Sequence, residues 1–381
     1  MAEKITIGLV FAHNENWIGG TYYILNLIYA LKTLPTEQQP NLVVFVGKPQ
    51  DASIVCATEY PHLSFKPLDF SYSLLTRVIN KIARKLVKRN LIQKKYPTHT
   101  AQVIFPYDLQ NALSKVQKKI CWIPDFQEHY LHGFFSKESL EARKNHQLTL
   151  IKQQYPIIFS SEDVQQNFFE IYPYAQNPTH VVNFATTHPP YKQLNIDDLR
   201  TKYAIKGSYV IAPNQFWKHK NHQIVLDSVL ALSQRQAIDF QIVFTGKEHD
   251  FRYPDYADGL KKFVQENQLQ SYVKFLGFID RQDQLQLMNH ALAVIQPSLF
   301  EGWSTVVEDA KAMNQFIIAS DIKVHQEQLQ SYKNNVFFNP KNHIQLVDIL
   351  ENMPTKKLEI KAYDYQQNIK KFALDFMKVI A

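Results

Sequence analysis

Short runs of consecutive apolar residues alternate along this chain with longer stretches in which apolar positions recur every three or four residues. ITIGLVFA (5–12), NLVVFVG (41–47), AQVIF (101–105), KICWI (119–123) and PIIFSS (156–161) are runs of the first kind and read as buried strands. Helical periodicity lies between or after them, near 20–34, 73–95, 136–154 and 161–171. The second half repeats the plan with SYVIAP (208–213), FQIVFTG (240–246), YVKFLGF (272–278), ALAVIQPS (291–298) and QFIIAS (315–320). Its helical patterns fall near 219–235, 259–268, 281–290, 304–313 and 341–352. Continuous apolar strands joined by helical crossovers imply parallel sheets covered on both faces. The polar, proline-containing stretch ATTHPPYKQLNIDD (185–198) separates the two series. The expectation is an α/β chain of two doubly wound domains facing a central cleft, 1–185 and 186–355, with residues 356–381 a helix packing back on the first domain. Ligand sites in such sheets lie beyond the carboxyl ends of the strands.

Composition adds little to that plan and charge adds more. With 45% apolar and 20% charged residues among 381, the chain reads as globular, and no apolar run approaches a membrane span. Two cysteines, Cys56 and Cys121, support neither a disulfide framework nor a zinc site. The opening MAEKITIGLVFAHN does not read as a secretory signal, so a cytoplasmic location is expected. The formal net charge of +7 suggests an anionic partner. Much of the excess is local: between Arg77 and Lys95, Arg77, Lys81, Arg84, Lys85, Lys88 and Arg89 alternate with Val78, Ile79, Ile82, Ala83, Leu86 and Val87. A helix there would be basic on one face and apolar on the other, suited to an anionic membrane surface or to packing on a core. No nucleic-acid motif accompanies it.

Four stretches carry candidate chemistry. In PSLFEGWSTVVEDA (297–310), Glu301 and Glu308 stand seven residues apart, Gly302 permits a tight turn, and Ser304 is a competent N-cap. Amides from Gly302 through Trp303 and Ser304 to Thr305 at a helix N-terminus would suit a diphosphate, with Glu301 for sugar hydroxyls and Glu308 for a ribose diol. A cap, a dipole partner and a solvated acid are the structural alternative. In APNQFWKHKNHQ (212–223), Lys218, His219, Lys220 and His222 crowd a helix start, which an anion held by Lys220 would offset; a solvated basic turn is the alternative. The Gly19-Gly20 pair in FAHNENWIGGTYY (11–23) allows close backbone approach to a ligand, without the usual dinucleotide fingerprint. CWIPDFQEHYLHGFF (121–135) places Asp125, Gln127, Glu128, His129 and His132 after a strand, as an acceptor-side wall or a surface loop, and offers no metal-ligand spacing.

Together these stretches resemble the GT-B glycosyltransferases, specifically the retaining family 4. The resemblance runs through 297–310 and FIIASDIKVHQEQ (316–328), which surround a Glu-x7-Glu region. It continues in Gly19-Gly20, SSEDVQQNFFEIYP (160–173), HKNH (219–222), KFLGFIDRQDQLQLMNHA (274–291) and VFFNP (336–340). It implies two Rossmann-like domains, a nucleotide-diphosphate sugar such as a UDP- or GDP-sugar on the C-terminal one, and a glycan or lipid-linked acceptor on the N-terminal one. No cofactor or metal is implied. Carried over by position, Glu301 contacts the donor sugar, Glu308 the ribose, and Lys220 the leaving phosphate. The amides around Gly302 to Thr305 and at Gly19 and Gly20 approach the diphosphate, and Asp125 lines the acceptor side. Gln215 stands where the family usually has an arginine. Pro124 precedes Asp125 where a histidine is common, which leaves that role to His129, and Asn314 replaces a small residue. The implied activity is retaining hexosyl transfer in bacterial surface polysaccharide synthesis, such as O-antigen or capsule. A nucleotide-sugar 2-epimerase and a non-catalytic sugar-nucleotide- or glycan-binding subunit are the alternatives.

Overall fold

The structure, a computed structural model, describes residues 4–14, 18–67, 74–87, 91–92, 101–108, 116–235, 238–354 and 360–381. In the N-terminal half, β1 (Thr6–Phe11), β2 (Asn41–Val46), β3 (Leu63–Pro67), β4 (Val103–Phe105) and β5 (Lys118–Lys119) form a parallel sheet in the order β3-β2-β1-β4-β5. Strands β6 (Cys121–Ile123), β7 (Ile157–Phe159) and β8 (Thr179–Val181) continue it as a second parallel group. A single residue, Ile120, separates β5 from β6, so one extended run trades its partner β4 for β7. In the C-terminal half lie β9 (Ser208–Ala212), β10 (Phe240–Phe244), β11 (Val273–Phe275), β12 (Val294–Gln296), β13 (Ile317–Ser320) and β14 (Asn335–Phe338). They form one parallel sheet in the order β11-β10-β9-β12-β13-β14. The strand order reverses beside β1 and again beside β9, and the candidate loops after β1, β9 and β12 all leave from those reversals. Ligands bind at such points in doubly wound sheets.

Each sheet is covered on both faces, as its apolar runs require. Strand β10 is buried at all five positions and β12 at all three, and β9, which lies between them, at four of five. The strands not anticipated, β3, β8 and β14, all lie at sheet ends and are only half-buried. An edge strand needs one apolar face at most, so its sequence carries no continuous apolar run.

The halves are joined twice. The chain first crosses near Phe184–His188, and the 185–198 stretch ends not as a loop but in the helix Ile196–Lys202, whose Asn195 side chain accepts from the Asp197 amide at 2.8 Å. It crosses back before the helix Gln366–Ile380. Ile369, Phe372, Ala373, Phe376, Val379 and Ile380 form one stripe of that helix and sit in the N-terminal core with Leu27, Val103 and Phe105. Each large apolar side chain so buried contributes about 1.5–3 kcal/mol.

The basic helix spans Leu74–Val87, and residues 88–90, which include Lys88 and Arg89, and 93–95 of the 77–95 stretch lie outside the described residues. Its apolar residues do not all turn inward. Ala83 and Asn80 are buried, whereas Leu75, Val78, Ile82 and Leu86, spaced three and four apart, are all more than half exposed. Among the described residues no helix is long and apolar enough to cross a membrane.

Candidate active site in the cleft between the halves

A cavity of about 1250 Å³ lies between the two halves, lined by the loops after β1, β6, β9, β10 and β12. On its wall Glu301 and Lys220 form an ion pair, Lys220 Nζ donating to Glu301 Oε1 at 2.6 Å. The same oxygen accepts from Ser298 Oγ at 2.6 Å and Gln296 Nε2 at 2.8 Å. Oε2 has no protein donor among the described residues, so one face of the carboxylate is available to a ligand. Lys220 closes a short 3-10 turn, Lys218–Lys220, that ends on Asn221 in the left-handed region (φ 57°). Asn221 Nδ2 locks the turn by donating to the carbonyls of Pro297 (3.2 Å) and Pro340 (3.0 Å).

The crowding of positive groups at this helix start is smaller than the sequence suggests. His219 and His222 are buried, and burial pushes both imidazoles down, with the Lys220 charge adding to it; His222 falls to about 3. Burial likewise lowers His325, packed behind the site. Neither His219 nor His222 therefore adds charge here near neutrality. The unfolded chain binds protons at these imidazoles near pH 6.5 and the folded chain does not, so stability rises with pH up to that point. The folding free energy should therefore decline as pH falls below about 6.5, by up to about 1.4 kcal/mol per pH unit per histidine. Urea titrations at successive pH values check this, and a flat profile between pH 6.5 and 5 would contradict it.

The loop after β12 meets the N-terminal half directly. Gly302 does not adopt a positive φ; its role is close approach. A Cβ on Gly302 would lie 2.0 Å from the Pro124 carbonyl oxygen and 2.9 Å from the Asp125 Cβ. Gly302→Ala must push the halves apart, and a displacement of about 1 Å at a reacting centre costs roughly 100-fold in rate. Turnover should fall by that order while circular dichroism stays native; unchanged turnover would show that the approach is irrelevant. Trp303 packs against the N-terminal core, and its Nε1 donates to the Phe184 carbonyl at 3.0 Å. Ser304 caps the helix Thr305–Ala312, accepting from the Val307 amide at 3.3 Å. Its own amide donates to Gln328 Oε1 at 3.1 Å, which removes it as an anion donor.

Glu308 is not in the cleft. It is fully buried beneath the helix, accepting from Lys311 Nζ (2.9 Å), Gln328 Nε2 (2.8 Å) and Tyr365 Oη (2.5 Å). Tyr365 also accepts from the Thr186 amide at 2.8 Å, so Glu308 fastens both interdomain crossings to the site helix. One residue further turns the helix by 100°, and Asp309 lines the cleft instead. Seven residues intervene between Glu301 and Asp309, so counting intervening positions would have found it. Arg281 Nη2 donates to both Asp309 oxygens at 2.7 Å, and His188 Nε2 lies 3.0 Å from Oδ1. Burial alone would raise this carboxyl, but Arg281 and His188 outweigh it and hold it below the ordinary carboxylate value.

The remaining expected residues divide. Gly19 lines the cavity, but the Gly-Gly pair lies inside the helix Ile18–Lys32, and Gly20 is buried outside the lining. Gln215 lines it as well. Asp125 faces the cleft, accepts from the Gln127 amide at 3.0 Å, and is pushed up by burial and by the nearby Glu128 and Glu301 charges. His129 is exposed and outside the cavity lining. The one-turn helix Gln127–Tyr130 sends Gln127 into the cleft and His129 away from it. Arg143, His146 and Arg252, which carry no recognisable motif, line the cleft too. Among the described residues no three His, Cys, Asp or Glu side chains converge on a metal position.

The glycosyl transferases group 1 family matches residues 195–372, a span that holds Gln215, Lys220, Glu301 and Asp309. Over that span, just under half of the 381 residues, the chain resembles a group 1 glycosyl transferase domain. Over the whole chain the fold is that of the GT-B glycosyltransferases. Anabaena Alr3699/HepE, solved in complex with UDP and glucose, superposes with a TM-score of 0.67 at 16% identity, covering 99% of both chains. WaaG, a glycosyltransferase involved in lipopolysaccharide biosynthesis, superposes with a TM-score of 0.59 at 10% identity, covering 97% of this chain and 95% of its own. O-antigen chain mannosyltransferase RfbU of Salmonella typhimurium is 29% identical over 139 residues, which is 36% of either chain. The matched part is thus about a third of that relative's length.

Proposed function

We propose that the two halves together form a retaining glycosyltransferase. It moves a hexose from a UDP- or GDP-sugar to a glycan or lipid-linked acceptor in bacterial surface polysaccharide synthesis. The observation that carries the reading is the Lys220–Glu301 pair at 2.6 Å on the wall of the interdomain cleft, beside a helix N-terminus. In the ground state each side chain satisfies the other. A bound donor would divide them, its leaving phosphate taking Lys220 and its sugar hydroxyls the free Oε2 of Glu301. The amides at Gly302, Trp303 and Thr305 then meet the diphosphate, and Asp309 takes the ribose. As the C1–O bond to the diphosphate breaks, negative charge builds on the leaving oxygen, and Lys220 and the amides stabilise it without a resident metal. The acceptor oxygen bonds to C1 on the same face, and its proton passes to the departing phosphate. HepE's complex with UDP and glucose, and RfbU's name, support the donor class and the polysaccharide setting.

The test is incubation with a panel of UDP- and GDP-hexoses and glycan acceptors, read by mass spectrometry. Transfer or donor hydrolysis with at least one is expected, and neither with any would contradict the reading.

The helix Leu74–Val87 supports a cytoplasmic enzyme peripheral on the inner face of the membrane. Leu75, Val78, Ile82 and Leu86 are exposed in a row flanked by Arg77, Lys81 and Arg84. Apolar insertion and anionic attraction act together on such a face. The protein should float with vesicles containing anionic lipid and not with neutral ones, and Ile82→Glu with Leu86→Glu should abolish flotation. Equal flotation of that variant would contradict the assignment.

A further inference from the structure

One part of the cleft wall lies outside the set of residues assigned above to the nucleotide sugar. The loop after β10 reaches across to the N-terminal half there. The Arg252 guanidinium lies near three rings, 5.2 Å from the Phe135 centroid, 5.4 Å from that of Trp217 and 5.7 Å from that of Phe251. Its backbone amide and Nε donate to Asp250 Oδ1 at 3.0 and 3.1 Å, and Asp250 is buried. The guanidinium is thereby fixed in orientation, and its charge is offset by the carboxylate it rests on. Its outer edge, Nη1, makes a long 3.3 Å bond to Gln127 Oε1 of the other half. Beside it Phe251 lines the cavity with its ring 74% exposed. Tyr253 Oη donates to the Gly133 carbonyl at 3.0 Å, and the Lys218 ammonium lies 4.5 Å from the Tyr253 centroid.

We infer that Phe251 and Arg252 form a subsite for a neutral pyranose ring of the acceptor; calling the ring an acceptor rests on the transferase reading above. An exposed phenyl ring on a cavity wall offers a flat apolar face to the C–H face of a sugar. A guanidinium edge offers parallel N–H donors to neighbouring hydroxyls. Because Asp250 offsets the charge of Arg252, the edge suits hydroxyls better than a phosphate or carboxylate. The long bond to Gln127 exchanges for a bond to a sugar hydroxyl without leaving Nη1 unpaired. The acceptor would thus be gripped by a loop of the C-terminal half while facing Asp125 of the N-terminal half.

Saturation-transfer NMR on the full chain, with UDP or GDP present, tests this. The probes are methyl α-mannopyranoside, methyl α-glucopyranoside and methyl β-galactopyranoside, with mannose 6-phosphate and glucose 6-phosphate as the anionic arm. At least one methyl glycoside should give signal. Its affinity should drop about tenfold or more in Arg252→Ala, the loss expected for one charged hydrogen bond, and about three- to tenfold in Phe251→Ala, the loss expected for one aromatic contact. Phe251 is exposed, so its variant should fold even if the Arg252 variant does not. Gln127→Ala frees Nη1 and should bind as tightly as wild type or tighter. Loss in Gln127→Ala equal to that in Arg252→Ala would make Arg252 only a bridge between the halves and overturn the inference. So would unchanged binding in both loop variants, or clearly tighter binding of the sugar phosphates. Nucleotide binding without any methyl glycoside signal would overturn the subsite alone, whereas no nucleotide binding would count against the transferase reading instead.

Discussion

Lys220→Ala should lower transfer by about 100- to 1000-fold, the loss typical when one preorganised donor to a developing oxyanion is removed. The effect should fall mainly on kcat, because the ammonium does most once charge has moved onto the leaving phosphate. Its ground-state partner makes the split sharper. Glu301 retains Ser298 and Gln296 as donors after the lysine is gone, so its carboxylate stays placed and donor binding suffers less than turnover. Steady-state kinetics on the best donor of the panel checks this. A rise in KM with kcat unchanged would mean that Lys220 merely helps to bind the ground state. Arginine at 220 should rescue little, because the 3-10 turn and Asn221 aim a side chain of lysine's length at Glu301 Oε1.

The second large effect separates neighbouring acids. Asp309→Ala leaves the Arg281 guanidinium facing the cleft without its carboxylate, and breaking a buried pair in this way costs about 3–5 kcal/mol. The remaining folded protein should also bind UDP or GDP at least tenfold more weakly, since the ribose loses a charged partner. Glu308→Ala should be comparably destabilising, because Lys311, itself buried, loses its partner. Nucleotide affinity should nonetheless stay near wild type, as Glu308 faces Tyr365 and the crossings and not the cavity. Thermal melts paired with nucleotide titrations measure both quantities on the same samples. The opposite pattern, affinity lost at 308 and kept at 309, would return the ribose to Glu308.

That contrast also shows what the sequence could convey. The two doubly wound halves were legible because buried parallel strands must be apolar throughout, as in β9, β10 and β12. The edge strands β3, β8 and β14 were not, because a half-buried edge tolerates an ordinary mixed sequence. That Glu301 and Lys220 would stand at the cleft was legible from the strand ends they follow. Glu308 was misplaced because both neighbouring residues are acids. Only the phase of the helix, set by Ser304 as N-cap, decides which one turns inward to Lys311. His129 failed for a similar reason: one helical turn sends alternate polar side chains to opposite sides. Arg252 had no sequence signal at all, since its place depends on Asp250, Trp217 and Phe135, from three separate segments, meeting across the cleft.

The most direct test of the central claim follows the anomeric proton of an active donor by NMR, with and without acceptor. The account predicts that the α-donor signal declines rapidly only when acceptor is present, replaced by a product signal that is also α. Conversion of donor without acceptor into a sugar inverted at C2 would identify an epimerase, and a β-linked product would exclude retention. A donor signal unchanged in every mixture would contradict the claim that this cleft transfers sugar.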